Sequence, residues 1–263
     1  MISSASVDWP KISIVTPSFN QGNFIEETIQ SVLNQAYPNL EYLVIDGGST
    51  DGTLDILRKY SDRLRWISEP DGGQASAINK GLQLATGEIL AFLNSDDLYL
   101  PGALPRAARF FMANLDAAWV SGRCITIDAE QQPTRKLITH YKNFWLHFRS
   151  YKVLLVLNYI SQPATFWRKS VFNELGPLEE SLHYTMDYEY WLRIGKHYRL
   201  YSLPQELAVF RLHANSKSGS TASKQFEEQY RVAETYHPPA PLLPLHRLHN
   251  WLSIMVYSRQ IKG

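Results

Sequence analysis

Short β-rich apolar runs alternate with helical apolar periods over roughly the first hundred residues. Lys11-Ile12-Ser13-Ile14-Val15 reads as a first strand. Ile25, Ile29, Val32 and Leu33 then recur on one helical face, with capping-box spacing at Asn23 and Glu26 and with Pro38 set to end the helix. Leu40 to Ile45 predicts a second strand, Thr53 to Tyr60 a helix and Leu64 to Ile67 a third strand. Gln74 to Ala85 predicts a helix closed by Gly87, and Ile89 to Leu93 a fourth strand. This alternation predicts an α/β fold whose mostly parallel sheet is flanked by helices on both faces. In such sheets ligands bind beyond the carboxyl ends of the strands, so the residues just after each strand carry the candidate chemistry.

The pattern is less regular in the second half. Ala118 to Ser121, Arg123 to Ile127, Ala164 to Trp167 and Glu206 to Arg211 read as strands, and Asp187 to His197 as a helix. His213 to Ser223 is small and polar, like a mobile loop, and Pro238-Pro239-Ala240-Pro241 is linker-like. There is no internal repeat and no clean boundary between two independent domains. The working division is a main domain over 1–237, with halves at about 10–100 and 101–237, and a tail over 238–263. In the tail, Leu245, Leu248, Leu252 and Met255 recur at helical spacing beside His246, Arg247, His249, Arg259 and Lys262. That spacing predicts a terminal helix, either docked on the main domain or touching a membrane surface or a partner chain.

Composition narrows the function classes. A chain of 263 residues can bury a full α/β core. A formal net charge of +1 offers no broad field for nucleic acid. The lone Cys124 excludes an internal disulfide framework and a cysteine-built metal site, and reads as a core residue. The first residues show no signal-peptide pattern, and no run approaches the ~20 apolar residues of a membrane helix. A cytoplasmic placement is the default expectation, with peripheral contact at the inner face of a membrane through the tail as an extension of it.

The fourth strand ends in Asn94-Ser95-Asp96-Asp97. Adjacent carboxylates there repel one another, and a hard cation would neutralise them. Taken bare, such a pair is more often an Asp-rich turn or a helix cap. Its surroundings alter that balance. The first strand runs into Thr16-Pro17-Ser18-Phe19-Asn20, and the second into Asp46-Gly47-Gly48-Ser49-Thr50-Asp51-Gly52-Thr53. Three strand ends thus carry polar, Gly/Pro-shaped loops to one edge, as a ligand crevice requires. Glycines such as Gly48 let backbone groups approach a ligand closely.

The ordered set Ser13 to Asn20, Val44 to Thr53, Ala77-Ile78-Asn79-Lys80-Gly81 and Gly87 to Asp97 resembles the GT-A-fold glycosyltransferases of family 2, over roughly residues 10–215. The resemblance implies a GT-A sheet with a smaller acceptor-side region, and a nucleotide-sugar donor. It implies base contacts from the backbone of Thr16 and Pro17, with Asn20 and Gly48 in the same nucleotide-binding loops, and a base-edge contact from Asp46. Many members have a second Asp where this chain has Gly47, which leaves uridine against another base open. Asn79 and Lys80 fall near the diphosphate or ribose, Asp96 on the ribose side, and Asp97 as the direct ligand of Mn2+ or Mg2+. Asn94 stands where the family motif commonly begins with Asp. His213 matches a residue that can complete the metal site, and Arg211 and Lys217 could screen phosphate charge.

Tyr184 to Arg193 resembles the family's acidic helix start, which implies Asp187 as catalytic base with Glu189 as the alternative; the same pattern also suits a helix cap. Gln162 to Trp167 falls near the sugar and acceptor. His183 and Trp191 are further acceptor candidates, although Trp191 at helical spacing suits the core better. The implied activity is a metal-dependent inverting transfer from a nucleoside diphosphate sugar, UDP first and GDP or dTDP next, to a carbohydrate or lipid-linked saccharide hydroxyl. Surface polysaccharide assembly is the implied setting. A Rossmann dehydrogenase would need Gly-x-Gly-x-x-Gly after the first strand, which is absent. A nucleotidyltransferase would carry a Gly- and Lys-rich phosphate loop at that place. The alternative from another class is a non-catalytic nucleotide-sugar-binding module, which would keep the loops and lose the acids.

Overall fold

The computed structural model describes residues 8–213 and 222–260. Its first half is β1 (Ile12–Ser18), α1 (Ile25–Leu33), β2 (Leu40–Asp46), α2 (Thr53–Lys59), β3 (Arg65–Ser68), α3 (Gln74–Leu84) and β4 (Ile89–Phe92). Each residue of β1 and β4 is buried, as expected of strands covered on both faces. These four strands pair in parallel in the order β3-β2-β1-β4, so all their carboxyl ends share one edge.

The second half comprises β5 (Leu98–Tyr99), α4 (Ala103–Ala113), β6 (Trp119–Ile127), α5 (Lys136–Phe148), α6 (Tyr151–Leu154), β7 (Thr165–Arg168), α7 (Lys169–Leu175), α8 (Met186–His197), β8 (Tyr201–Arg211), α9 (Ala222–Thr235) and α10 (Leu242–Gln260). They extend the sheet to the order β3-β2-β1-β4-β7-β6-β8-β5. β7 runs antiparallel to β4 and β6, β5 antiparallel to β8, and β6 parallel to β8. The core continues across this half through Trp119, Trp167 and Trp191, all fully buried, with Trp119 and Trp191 stacked at 5.8 Å. Cys124 and Trp191 are core residues, as their sequence settings suggest.

Several local expectations are corrected. No capping box forms at Asn23: α1 begins at Ile25 after a backbone turn in which the N–H groups of Phe24 and Ile25 donate to the Gln21 carbonyl. The helix also ends before Pro38, at Leu33, with Ala36 in a left-handed conformation. Gly87 does not cap α3; a Cβ there would lie 2.5 Å from Ser13 Oγ, so it permits a close chain crossing. The two strands read between Ala118 and Ile127 are one, β6, irregular around Gly122, where a Cβ would meet Leu207 at 2.4 Å. The mobile loop read over His213 to Ser223 lies largely outside the described residues, and Lys217 with it. So do the first seven residues, on which the absence of a signal peptide was read. Among the described residues no helix is long and apolar enough to cross a membrane.

Candidate active site

Four loops meet at the carboxyl edge of β1–β4. The second is organised by Asp46, which is fully buried. Its Oδ2 accepts from Gly48 N (3.1 Å), Ser49 N (2.8 Å) and Ser68 Oγ (2.7 Å), and its Oδ1 from Ser49 Oγ (2.5 Å). A carboxylate offers about four such positions, so the acid implied as the reader of the base edge is committed to holding the loop. Gly48, at φ 82°, makes the turn that these bonds close. Asn20 locks the first loop to the second: its N–H donates to Ser49 Oγ (2.8 Å) and its Oδ1 accepts from Thr50 N (2.9 Å). Thr16 and Pro17 lie in β1, with Thr16 Oγ1 3.1 Å from Tyr42 Oη inside the core.

The loop after β3 supplies a residue that sequence reading passed over. A side chain at Gly47 would place its Cβ 3.0 Å from Asp71 Oδ2 and 3.2 Å from Oδ1. The Asp71 carboxylate therefore fills the space beside the position where many family members have a second Asp. Gly73 N holds its Oδ1 at 2.7 Å. The available signal was the run Glu69-Pro70-Asp71-Gly72-Gly73, a further Gly/Pro-shaped loop following a strand.

At the end of β4 the two acids separate. Asp97 has 0% exposure, and its Oδ1 accepts from the backbone N–H of Arg211 (3.0 Å). Its Oδ2 accepts from Asn94 Nδ2 (3.2 Å). Asn94 also donates to Gln162 Oε1 (3.2 Å) and accepts from Gln74 Nε2 (2.8 Å). An amide can both donate to a buried carboxylate and accept from another amide, whereas an ionised carboxylate only accepts, which accounts for Asn rather than Asp at 94. Burial, then the Asp96 charge, pushes Asp97 well above the ordinary carboxylate range. Asp96 is instead 20% exposed, and its Oδ2 lies 3.0 Å from His213 Nε2. Phe24 orients this pair: His213 stacks on it at 4.4 Å, while the Arg211 guanidinium sits 5.2 Å from the ring centre. Arg211 is itself paired with Glu27 at 2.5 Å, so its charge is balanced within the protein.

Asn79 and Lys80 are engaged elsewhere. Asn79 is buried and joins α3 to the loop before α8, through Leu178 O (2.9 Å), Leu178 N (2.8 Å) and Glu180 Oε1 (2.9 Å). Lys80 forms an ion pair with Glu69. Asn79 is committed to these contacts within the protein, whereas the Lys80–Glu69 pair lies at the solvent-exposed surface.

Across the sheet, α8 opens with Asp187. Its Oδ1 accepts from Tyr188 N (2.7 Å), and burial raises it above the ordinary carboxylate range, with Lys142 acting in the opposite direction. Lys142, on α5, is lowered by its own burial and donates to Ile160 O (3.2 Å). Glu228 of α9 accepts from the N–H groups of His183 (2.9 Å) and Tyr184 (2.7 Å), which fixes the loop leading into α8. Glu189 points elsewhere: it pairs with Arg193 at 2.6 Å and accepts from Tyr236 Oη at 2.7 Å. Two residues along a helix are about 200° apart, and here that separation gives the acids different tasks. Gln162 reaches the site indirectly, donating to Phe92 O at 2.6 Å and accepting from Asn94. Among the described residues no cage of three or more His, Cys, Asp or Glu side chains forms. Asp96 and His213 do fit a divalent cation whose other positions are taken by phosphate oxygens and water.

A parallel-sheet edge of four polar loops, with an Asp–His pair beside them and a half-buried acid across the sheet, is an architecture of the GT-A kind. Residues 13–176 match the family described as Glycosyl transferase family 2, and the chain belongs to that family. An uncharacterized glycosyltransferase of Rickettsia typhi is 28% identical over 221 residues, covering 83% of this chain and 69% of that protein. A putative teichuronic acid biosynthesis glycosyltransferase of Bacillus subtilis, TuaG, is 41% identical over 107 residues, covering 39% of this chain and 42% of that one. Among solved structures, the mannosyltransferase PcManGT of Pyrobaculum calidifontis, in complex with GDP-Man and Mn2+, superposes with a TM-score of 0.70 at 20% identity. That match covers 94% of this chain and 70% of that one. Residues 1–349 of S. aureus TarS in complex with UDP-GlcNAc give 0.65 at 20% identity, covering 84% and 65%. This chain spans 39% of the longer TarS chain.

Proposed function

We propose that the protein transfers a glycosyl residue, with inversion, from a nucleoside diphosphate sugar to an acceptor hydroxyl. The observation that supports this most is the Asp96–His213 pair, joined from positions 117 residues apart at the edge where the loops converge. In this reading Asp96 and His213, rather than Asp97, hold Mn2+ or Mg2+. The cation stabilises the charge of the departing diphosphate. Asp97 anchors β4 to β8 and so sets the position of both ligands.

Asp187 receives the proton of the acceptor hydroxyl as its oxygen bonds to the anomeric carbon and the bond from that carbon to the diphosphate breaks. A carboxylate is a far weaker base than the alkoxide, so it cannot deprotonate the hydroxyl beforehand, and the proton moves in concert with bond formation. The raised affinity of Asp187 for protons suits that task. Glu189 is the weaker candidate because Arg193 and Tyr236 already engage it.

Base recognition falls to Asp71 beside Gly47. A carboxylate there can accept from the ring N–H of uracil, or from two N–H groups of guanine. The nucleotide sugars of two superposed structures, UDP-GlcNAc with TarS and GDP-Man with PcManGT, support UDP or GDP as donors. The TuaG likeness supports surface polysaccharide assembly, with a saccharide or lipid-linked saccharide as acceptor. A non-catalytic binding module would have no use for the half-buried Asp187 with its raised proton affinity. The test is a thermal-shift panel of UDP, GDP, dTDP and CMP, each with and without Mn2+. A ligand at 100 times its Kd stabilises by about 2.7 kcal/mol, and one nucleoside diphosphate should do so only with the metal. Equal shifts for all four, or none, would remove the reading.

A further inference from the structure

Eight of the eleven large apolar side chains most exposed on the described surface lie on just two helices, α5 and α10. On α5 they are Leu137, Tyr141, Phe144 and Phe148, spaced so that they form one stripe. On α10 they are Leu245, Leu248, Trp251 and Leu252. Leu137 is 83% exposed, Phe144 56% and Trp251 57%. The two stripes meet where Tyr141 stacks on His249 at 6.1 Å.

α10 is inverted relative to an ordinary docked helix. It buries polar residues: His246 is fully buried, with Nδ1 2.8 Å from Leu155 O, and Asn250 donates to Phe226 O at 2.8 Å. Leu245, Leu248, Trp251 and Leu252 are left outside, while Leu242 at its start packs against the core. A helix held only by its own burial would be turned the other way.

Charge follows the same division. Residues 135–160 contain five Lys/Arg and no Asp or Glu, and residues 242–260 contain two and none. The remaining residues therefore carry an excess of six acids. Lys136, Arg149, Lys152 and Arg247 are exposed around the apolar stripes. Beside them a groove of about 700 Å³ is lined by Arg123, Lys136, His140, His147 and Phe144, with Glu206 as its acid. It shares no residue with the nucleotide crevice.

We infer that the joined faces of α5 and α10 dock on the surface of an anionic lipid bilayer. Aromatic and aliphatic side chains enter the headgroup boundary, and the surrounding cations meet lipid phosphates. Tyr and Trp suit that boundary because each has an apolar body and a polar tip. The inference also deepens the proposed function, on which this part of it rests. α5 carries the apolar stripe outside and, on its inner side, Lys142, whose Nζ donates to Ile160 O at 3.2 Å, two residues before the Gln162 that accepts from Asn94. One helix thus joins the outward face to a segment that reaches the candidate site, as a lipid-anchored saccharide acceptor requires.

The experiment is vesicle flotation of the full chain without nucleotide. Vesicles contain phosphatidylcholine alone, or with roughly 30 mol % phosphatidylglycerol. Wild type should partition onto the anionic vesicles about tenfold more strongly than onto the neutral ones, and should lose most of that binding at high salt. Phe144→Asp with Trp251→Asp, both at exposed positions, should abolish flotation by about tenfold or more while circular dichroism stays unchanged. Arg149→Glu with Arg247→Glu should weaken binding to anionic vesicles only. Equal partition of wild type and variants would overturn the inference. So would a wild-type dimer in sedimentation velocity that the apolar variant converts to monomer, since a second copy would then cover this face. Flotation without nucleotide binding would fail only the proposed donor reading, and nucleotide binding without flotation only this one.

Discussion

Asp96 and Asp97 are neighbours in sequence, yet the fold gives one to the crevice and the other to the core. The prediction is correspondingly split. Asp96→Ala and His213→Ala should each weaken Mn2+-dependent nucleotide binding by about tenfold or more, with little change in melting temperature. Asp97→Ala should instead lower stability by about 1–3 kcal/mol, because the Arg211 N–H and Asn94 amide lose a buried acceptor. Thermal melts and calorimetry on the three variants separate these outcomes. At Asp187, burial raises the pKa, so the native state binds more protons than the unfolded chain between the two values. Stability therefore falls as pH rises through that window, and Asp187→Asn removes the slope. For transfer the base must be ionised, so the acid limb of kcat/KM should lie above the ordinary Asp value of about 3.9. Asp187→Asn should abolish that limb and lower kcat about a hundredfold or more, with donor affinity kept. The residues on which the proposal rests, Asp96, Asp187 and His213, were named from the chain, with the metal expected at Asp97. The division of labour proposed here was not, because exposure distinguishes Asp96 from Asp97 and no spacing rule reports it. Asp71 was missed for a related reason: its part depends on a side chain absent at Gly47, across two loops.

At the scale of elements, the first four strands and three helices follow from alternation, since each apolar run is buried on a parallel sheet with ordinary periodicity. The errors fall at ends, where turns replaced caps: Gln21 rather than Asn23 starts α1. The second half resisted reading because its helices serve several masters. α5 has a half-buried Lys142 beside an exposed aromatic stripe, and α10 buries the polar His246 and Asn250 while leaving four large apolar side chains exposed. Close packing between elements yields its own test. A Cβ at Gly81 would lie 2.3 Å from Val15 Cγ1, between α3 and β1. Gly81→Ala gains up to about 1 kcal/mol of helix propensity but forces a branched core side chain aside, at about 1–3 kcal/mol. The variant should melt at a lower temperature than wild type. A rise would show that α3 can move away from the sheet without cost.

The whole molecule places the Asp96–His213 pair at one sheet edge, the half-buried Asp187 on α8 and an outward apolar-cationic face on α5 and α10. In the proposals made above, donor, acceptor and bilayer are arranged around this single sheet. Membership of glycosyl transferase family 2 supports the donor side of this account, while the assignment of the metal to Asp96 and His213 is its most exposed claim. Calorimetric titration of UDP and of GDP, each with Mn2+ and with excess chelator, tests it on wild type, Asp96→Ala and His213→Ala. The account predicts that one of the two nucleotides binds wild type about tenfold or more tightly with Mn2+ than with chelator, and that either substitution removes the difference. Metal-dependent binding that survives both substitutions and is lost in Asp97→Asn would contradict it.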